Sequence, residues 1–229
     1  MASQGILPWL WVLSLLLTGS GSEASLVQQG SPQGRYGEAL KHWETVLPNL
    51  TGDERFDTLL SMAVAYQALG QVEKAFSLLE EAQVLAERTQ DKSRHALALA
   101  RLSDGYLLVR RLEEALYYAE NALTLARQSG APGVLAATLN HLGNALVAQL
   151  RYTEALKIYR EGTALAERSS DPALAATLLT NAIHAHLAND TAQEAVPLLQ
   201  AALAKMRSLP ASPDKAFYWA GFVLIGNGL

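Results

Sequence analysis

The sequence predicts an all-α, right-handed superhelical solenoid of helix–turn–helix repeats, and three observations carry that expectation. The stretch Leu139–Gly162, LNHLGNALVAQLRYTEALKIYREG, reads as two amphipathic helices joined by a turn. Near copies run along the chain, so that Ala75, Ala115, Ala155 and Ala195 lie 40 residues apart each time. A fixed period of this size marks stacked supersecondary units that bury their apolar faces on one another. Finally, Ala and Leu dominate a chain that is 50% hydrophobic, and β-branched residues stay sparse until the C-terminal end. That composition favours helix.

Composition also removes several classes of function. The 229 residues carry 18 basic and 22 acidic side chains, a net charge of −4, with no run of Lys or Arg. An electrostatic footprint for nucleic acid is therefore missing from the sequence. The absence of cysteine excludes disulfides, thiolate metal sites and a cysteine nucleophile.

Taken in order, the chain opens with the apolar run Ile6–Leu17, ILPWLWVLSLLL, too short for a bilayer-spanning helix. Ser22-Glu23-Ala24 follows as a small-x-small cleavage site, so residues 1–24 read as a secretory signal peptide lacking a basic n-region. A secreted or periplasmic protein, free of the membrane after cleavage, is the expectation. Residues 25–34, with Gly30, Pro32 and Gly34, read as a linker. An array over 35–208 comes next. Tyr36–Leu47 supplies half a repeat, and four full repeats follow with helix pairs near 54–69/71–88, 93–109/111–128, 133–149/151–168 and 172–188/191–208. Asp91, Gly130 with Pro132, and Asp171 with Pro172 punctuate the joints, the last pair suiting an N-cap and the first helical position.

In these repeats the sequence resembles tetratricopeptide repeats, in a version longer than the usual one. The large apolar position 4 of that family is matched by Leu59, Leu99, Leu139 and Leu179. The small position 8 is matched by Ala63, Ser103 and Gly143, with the bulkier Ile183 as a departure. Position 11 holds Tyr66, Tyr106, Leu146 and, again as a departure, His186, while position 20 is alanine throughout. The resemblance implies that the first helix of each pair lines a concave groove that accepts extended peptides or partner helices. Carried over one residue at a time, the groove positions fall on Arg101, Asp104, Asn140, His141, Asn144, Thr180, Asn181 and His184. Amides and imidazoles can pair with a peptide main chain, and an arginine can take a carboxylate. The two-cation carboxylate clamp of some family members is not matched, because Arg101 has no evident second cation.

The tail, 209–229, changes character: Pro210, Ser212, Pro213 and Asp214 precede AFYWAGFVLIG at Ala216–Gly226. Two readings compete. Trp219 falls 40 residues after Leu179, which would make the tail a truncated first helix capping the array. The aromatic and β-branched run also resembles the closing strand of caspase-like CHAT peptidase domains, which in bacteria commonly follow tetratricopeptide arrays, and strand-like composition favours this second reading. The catalytic part of such a domain is absent from the sequence.

No nucleophile elbow, phosphate loop or metalloprotease motif occurs, and the five histidines show no ligand spacing, so no catalytic residue, metal or cofactor is expected. The function that follows is a non-catalytic scaffold binding a protein or peptide ligand in the groove. The alternative is a recruiting or regulatory arm of a CHAT-type peptidase whose catalytic domain is missing, or a truncated remnant of one.

Overall fold

The computed structural model describes residues 32–209. The segments read as a signal peptide and as a CHAT-like tail both lie outside them. Nine α-helices occur among the described residues: α1 (Pro32–Val46), α2 (Gly52–Ala68), α3 (Val72–Arg88), α4 (Lys92–Leu108), α5 (Leu112–Ser129), α6 (Pro132–Ala148), α7 (Tyr152–Arg168), α8 (Pro172–Ala188) and α9 (Ala192–Ser208). The short 3-10 turn Leu47–Asn49 separates α1 from α2, and no strand is present among these residues. The chain is thus an all-α repeat solenoid. Helix α1 starts at Pro32, four residues ahead of the expected half repeat and inside the stretch read as a linker. Proline suits a first helical turn, whose N–H groups lack intrahelical partners in any case.

Consecutive helices pack pairwise, and the first helices also touch the first helix one repeat along: α2 on α4, α4 on α6, α6 on α8. The second helices make no comparable contacts with one another, so α2, α4, α6 and α8 form the inner layer. Close pairing depends on the alanines that set the period: Ala75, Ala115 and Ala155 are fully buried and Ala195 nearly so. Opposite position 8, side-chain sizes compensate. Gly143 faces Tyr159, and a methyl group on Gly143 would sit 2.7 Å from the Tyr159 Cδ1 and Cζ atoms and closer still to Cε1.

Joints repeat as faithfully as helices. Gln71 N–H reaches Tyr66 C=O at 2.8 Å while Gly70 N–H reaches Gln67 C=O at 3.0 Å. The same pair of bonds recurs at Gln90/Asp91, Arg110/Arg111, Leu150/Arg151, Ser170/Asp171 and Asp190/Thr191. This is the Schellman arrangement, which needs one residue in the left-handed region. Glycine supplies it at Gly70, but Gln90, Arg110, Leu150, Ser170 and Asp190 adopt φ of 53–63° without that help, and Gly130 closes α5 in the left-handed region. Asp91 and Asp171 cap α4 and α8 by accepting from Arg94 N–H at 3.0 Å and Leu174 N–H at 2.9 Å.

Candidate functional site

Helical spacing puts the candidate residues on one face of each inner helix. Arg101 and Asp104 are three apart on α4, Asn140 and Asn144 four apart on α6, and Asn181 and His184 three apart on α8. Stacking then joins these faces. His141 Nδ1 lies 2.9 Å from the Asp104 carboxylate, linking α6 to α4. Asn181 Nδ2 donates to Asn140 Oδ1 at 2.8 Å and to Asn144 Oδ1 at 3.2 Å, linking α8 to α6. Asn144 Oδ1 also accepts the Tyr159 hydroxyl at 2.8 Å, tying the inner layer to α7. Between α2 and α4 the link is different in kind: Gln67 Nε2 donates to the Arg101 carbonyl at 3.3 Å.

Two of these rungs follow one rule. Asp104–His141 and Asn144–Asn181 both span 37 residues, so position 9 of one repeat meets position 6 of the next. A polar ladder therefore runs along the inner layer from α4 to α8.

Electrostatically the ladder is coherent. Arg101 Nη1 stands 3.7 Å from Asp104, and Arg101 as a whole is only 7% exposed. Burial lowers its pKa, and the Asp104 charge opposes that shift. The Tyr159 hydroxyl is pushed well above its ordinary value, first by burial and then by the Asp104 charge, so it stays protonated and donates. His184 goes the other way: burial lowers it from 6.5 to about 4, which keeps the ring neutral near pH 7.

All eight sequence-predicted site residues lie on the inner helices, but their polar groups differ in how far they are spent. Asp104, His141, Asn144 and Asn181 are committed to one another, and Arg101 to Asp104 and a further contact. Thr180 folds its hydroxyl back onto the Ala176 carbonyl at 2.9 Å. Asn140 Nδ2 and His184 Nε2 have no hydrogen-bond partner. Leu107, Val147 and Leu187, one per repeat at the same register, form a partly buried apolar strip beside the ladder. Sequence reasoning missed Tyr159 and Gln67. The bare Gly143 in an alanine-rich helix was the available signal that something large, here Tyr159, presses on it. Among the described residues, no group of three or more His, Asp or Glu side chains is placed to hold a metal ion, and no helix is long and apolar enough to cross a membrane.

The geometry defines a class: an all-α solenoid of stacked helix pairs whose inner layer carries a polar ladder. Residues 135–172, which take in α7 and most of α6, match the model of the tetratricopeptide repeat family. Among solved structures, the chain is similar to a Rap protein complexed with competence and sporulation factor, at 18% identity and a TM-score of 0.68 over 76% of this chain and 50% of that one. It is also similar to BtubC from P. vanneervenii, at 20% identity and a TM-score of 0.63 over 85% and 80% of the two chains. A Podosopora anserina putative kinesin light chain with nearly identical TPR-like repeats gives 22% identity and a TM-score of 0.55 over 76% and 87%. At such identities the likeness is one of fold, and this chain spans half the length of the Rap protein. No curated protein matches.

Proposed function

We propose that the protein is a non-catalytic scaffold that holds an extended segment of another polypeptide along its inner helices. The observation that carries this reading is the polar ladder with its parallel apolar strip, Leu107, Val147 and Leu187, repeated at the 40-residue period. An extended peptide needs both elements: apolar contact for side chains and fixed polar groups for main-chain donors and acceptors that lose water. Side chains already held by neighbours are positioned at little further entropic cost on binding. The Rap structure, solved with competence and sporulation factor, supports the reading at the level of fold.

The test is selection from a displayed library of random 12-residue peptides on the immobilised full chain. Enriched peptides should bind with one-to-one stoichiometry. They should lose tenfold or more in affinity with Val147→Asp or Leu187→Asp, and be indifferent to Tyr117→Ala on the exposed face of α5. Absence of any saturable binder, or equal sensitivity to Tyr117→Ala, would sink the reading.

A second reading rests on the likeness of Ala216–Gly226 to a CHAT closing strand. In it the array recruits substrates for a peptidase supplied by another polypeptide. Proteolysis that appears only when that polypeptide and this chain are mixed would favour it. For location we propose export, on the strength of Ile6–Leu17 and the site at Ser22–Ala24. A mature chain found to begin with Met1 would refute it.

A further inference from the structure

Two triplets in the sequence fit the acceptor pattern of N-linked glycans, Asn-x-Thr with x other than proline: Asn49-Leu50-Thr51 and Asn189-Asp190-Thr191. So short a pattern discriminates little, but the fold places the two differently. Asn49 ends the 3-10 turn Leu47–Asn49, and Thr51 immediately precedes α2. Both are exposed. Leu50 and Thr51 hold extended backbone, with φ/ψ of −86°/145° and −136°/165°, and the Thr51 side chain makes no capping bond to α2. The triplet thus presents a surface amide, and a threonine two residues on, along a stretch between helices. Asn189-Asp190-Thr191 is instead locked into the closing turn of α8. The backbone N–H groups of all three residues reach back to carbonyls of that helix, Asn189 to Ala185, Asp190 to Leu187 and Thr191 to His186. Asp190 is left-handed at φ 57°. The Thr191 hydroxyl donates to the His186 carbonyl at 3.1 Å and lies 2.9 Å from His186 Nδ1.

We infer that Asn49, and not Asn189, is an N-glycosylation site of the exported chain. The Asn49 amide nitrogen attacks the anomeric carbon of an oligosaccharide carried on a polyisoprenyl diphosphate. A C–N bond forms and the C–O bond to phosphate breaks. The lipid diphosphate departs with the electron pair, and the amide proton passes to a base of the transferase. Asn189 stays bare, because an enzyme acting on the folded chain would first have to open the joint that holds it. The inference rests on the export reading, since such glycans belong to surface loops of secreted chains. A glycan at Asn49 also leaves the inner strip open to a ligand. Leu107, Val147 and Leu187 stand in the last turns of their helices, whereas Thr51 stands just ahead of the first turn of α2. The first helices stack side by side in the same direction, so the length of a 17-residue helix, about 25 Å, separates the two edges.

The test expresses the full chain, with its own N-terminal residues, in a eukaryotic secretory cell line. The N-terminus and the intact mass of the product are read before and after treatment with a peptide N-glycosidase. The expected product starts beyond Ala24 and carries a single glycan, whose enzymatic release leaves aspartate at position 49 in the peptide map. Asn49→Gln and Thr51→Ala should each abolish the glycan, while Thr51→Ser and Asn189→Gln should retain it. Far-UV circular dichroism checks that each variant is folded. A chain cleaved beyond Ala24 in which Asn49 is recovered unmodified, or in which the glycan sits on Asn189, overturns the inference and leaves export standing. A bare chain that begins with Met1 overturns both.

Discussion

Gly143→Ala is the sharpest test of how the paired helices fit. In α6 the substitution should help by propensity, by about 1 kcal/mol, because glycine is the weakest ordinary helix former. The tertiary fit says otherwise. The new methyl would lie 2.7 Å from Tyr159 Cδ1 and Cζ, whereas carbon atoms rest about 3.5–4 Å apart. The ring must therefore withdraw by about 1 Å, and it is 1% exposed with nowhere open to go. Overpacking of this kind costs about 1–3 kcal/mol. Withdrawal also strains the 2.8 Å bond from the Tyr159 hydroxyl to Asn144, and a buried hydroxyl without its partner costs about 1–3 kcal/mol more. After the propensity gain is subtracted, a net loss of about 3 kcal/mol remains, lowering the thermal midpoint by roughly 6–12 °C for a domain of this size. Far-UV circular dichroism would follow the melt. Two companions isolate the cause. Gly133→Ala, in the first turn of α6 with nothing within 4 Å of the added methyl, should be neutral or stabilising. In a Tyr159→Leu background the Gly143→Ala penalty should nearly vanish, a strong coupling between contacting sites. A Gly143→Ala chain as stable as wild type, or a penalty unchanged by Tyr159→Leu, would refute the argument.

Other expectations follow from the same structure. Leu150 holds φ of 63° at 70% exposure, so Leu150→Gly should raise stability by about 1 kcal/mol, as the left-handed penalty is removed at little cost in burial; an unchanged or lower midpoint would count against it. Asp104→Asn strips the buried Arg101 and His141 of their carboxylate and should cost about 3 kcal/mol, measured by urea unfolding, since breaking a buried ion pair from one side is strongly destabilising. His184 gives the pH dependence: its folded value of about 4 lies below the ordinary 6.5, so the unfolded chain takes up the proton first. Stability should therefore be full above pH 6.5, fall as pH drops toward about 4, and level off below, with a total loss of up to about 3 kcal/mol. In His184→Phe that part of the slope should disappear.

The repeat architecture was legible because it is written in a few residues under strong constraint. Alanine at 75, 115, 155 and 195 marks the close helix crossings, and Asp171-Pro172 marks a helix start that the structure reproduces as cap and first turn. Boundaries were less legible. Left-handed closing residues at Arg110, Leu150 and Asp190 carry no glycine to announce them, and α4 and α6 stop at Leu108 and Ala148, one residue short of the ends expected from periodicity. Start signals were misleading at Pro32, where a linker-like composition conceals the first turn of α1. The candidate site was legible as a set of residues and illegible as a set of bonds. Each repeat was read separately, so Asp104 and His141, or Asn144 and Asn181, came out as independent groove residues; their common 37-residue spacing was present in the sequence all along.

That spacing bears on what the inner layer can recognise. A solenoid needs its neighbours held in register, and side chains that bridge neighbours are withdrawn from ligands. The first interface lacks a position 9–6 bridge, for Val64 occupies position 9, and is held instead by Gln67 reaching the Arg101 carbonyl and by Arg94 paired with Asp53 at 2.8 Å. The next two interfaces have that bridge. A ligand that meets chiefly the apolar side chains Leu107, Val147 and Leu187 would be selected for shape and register more than for charge. A net charge of −4 and an inner ladder whose one arginine is already beside Asp104 point the same way.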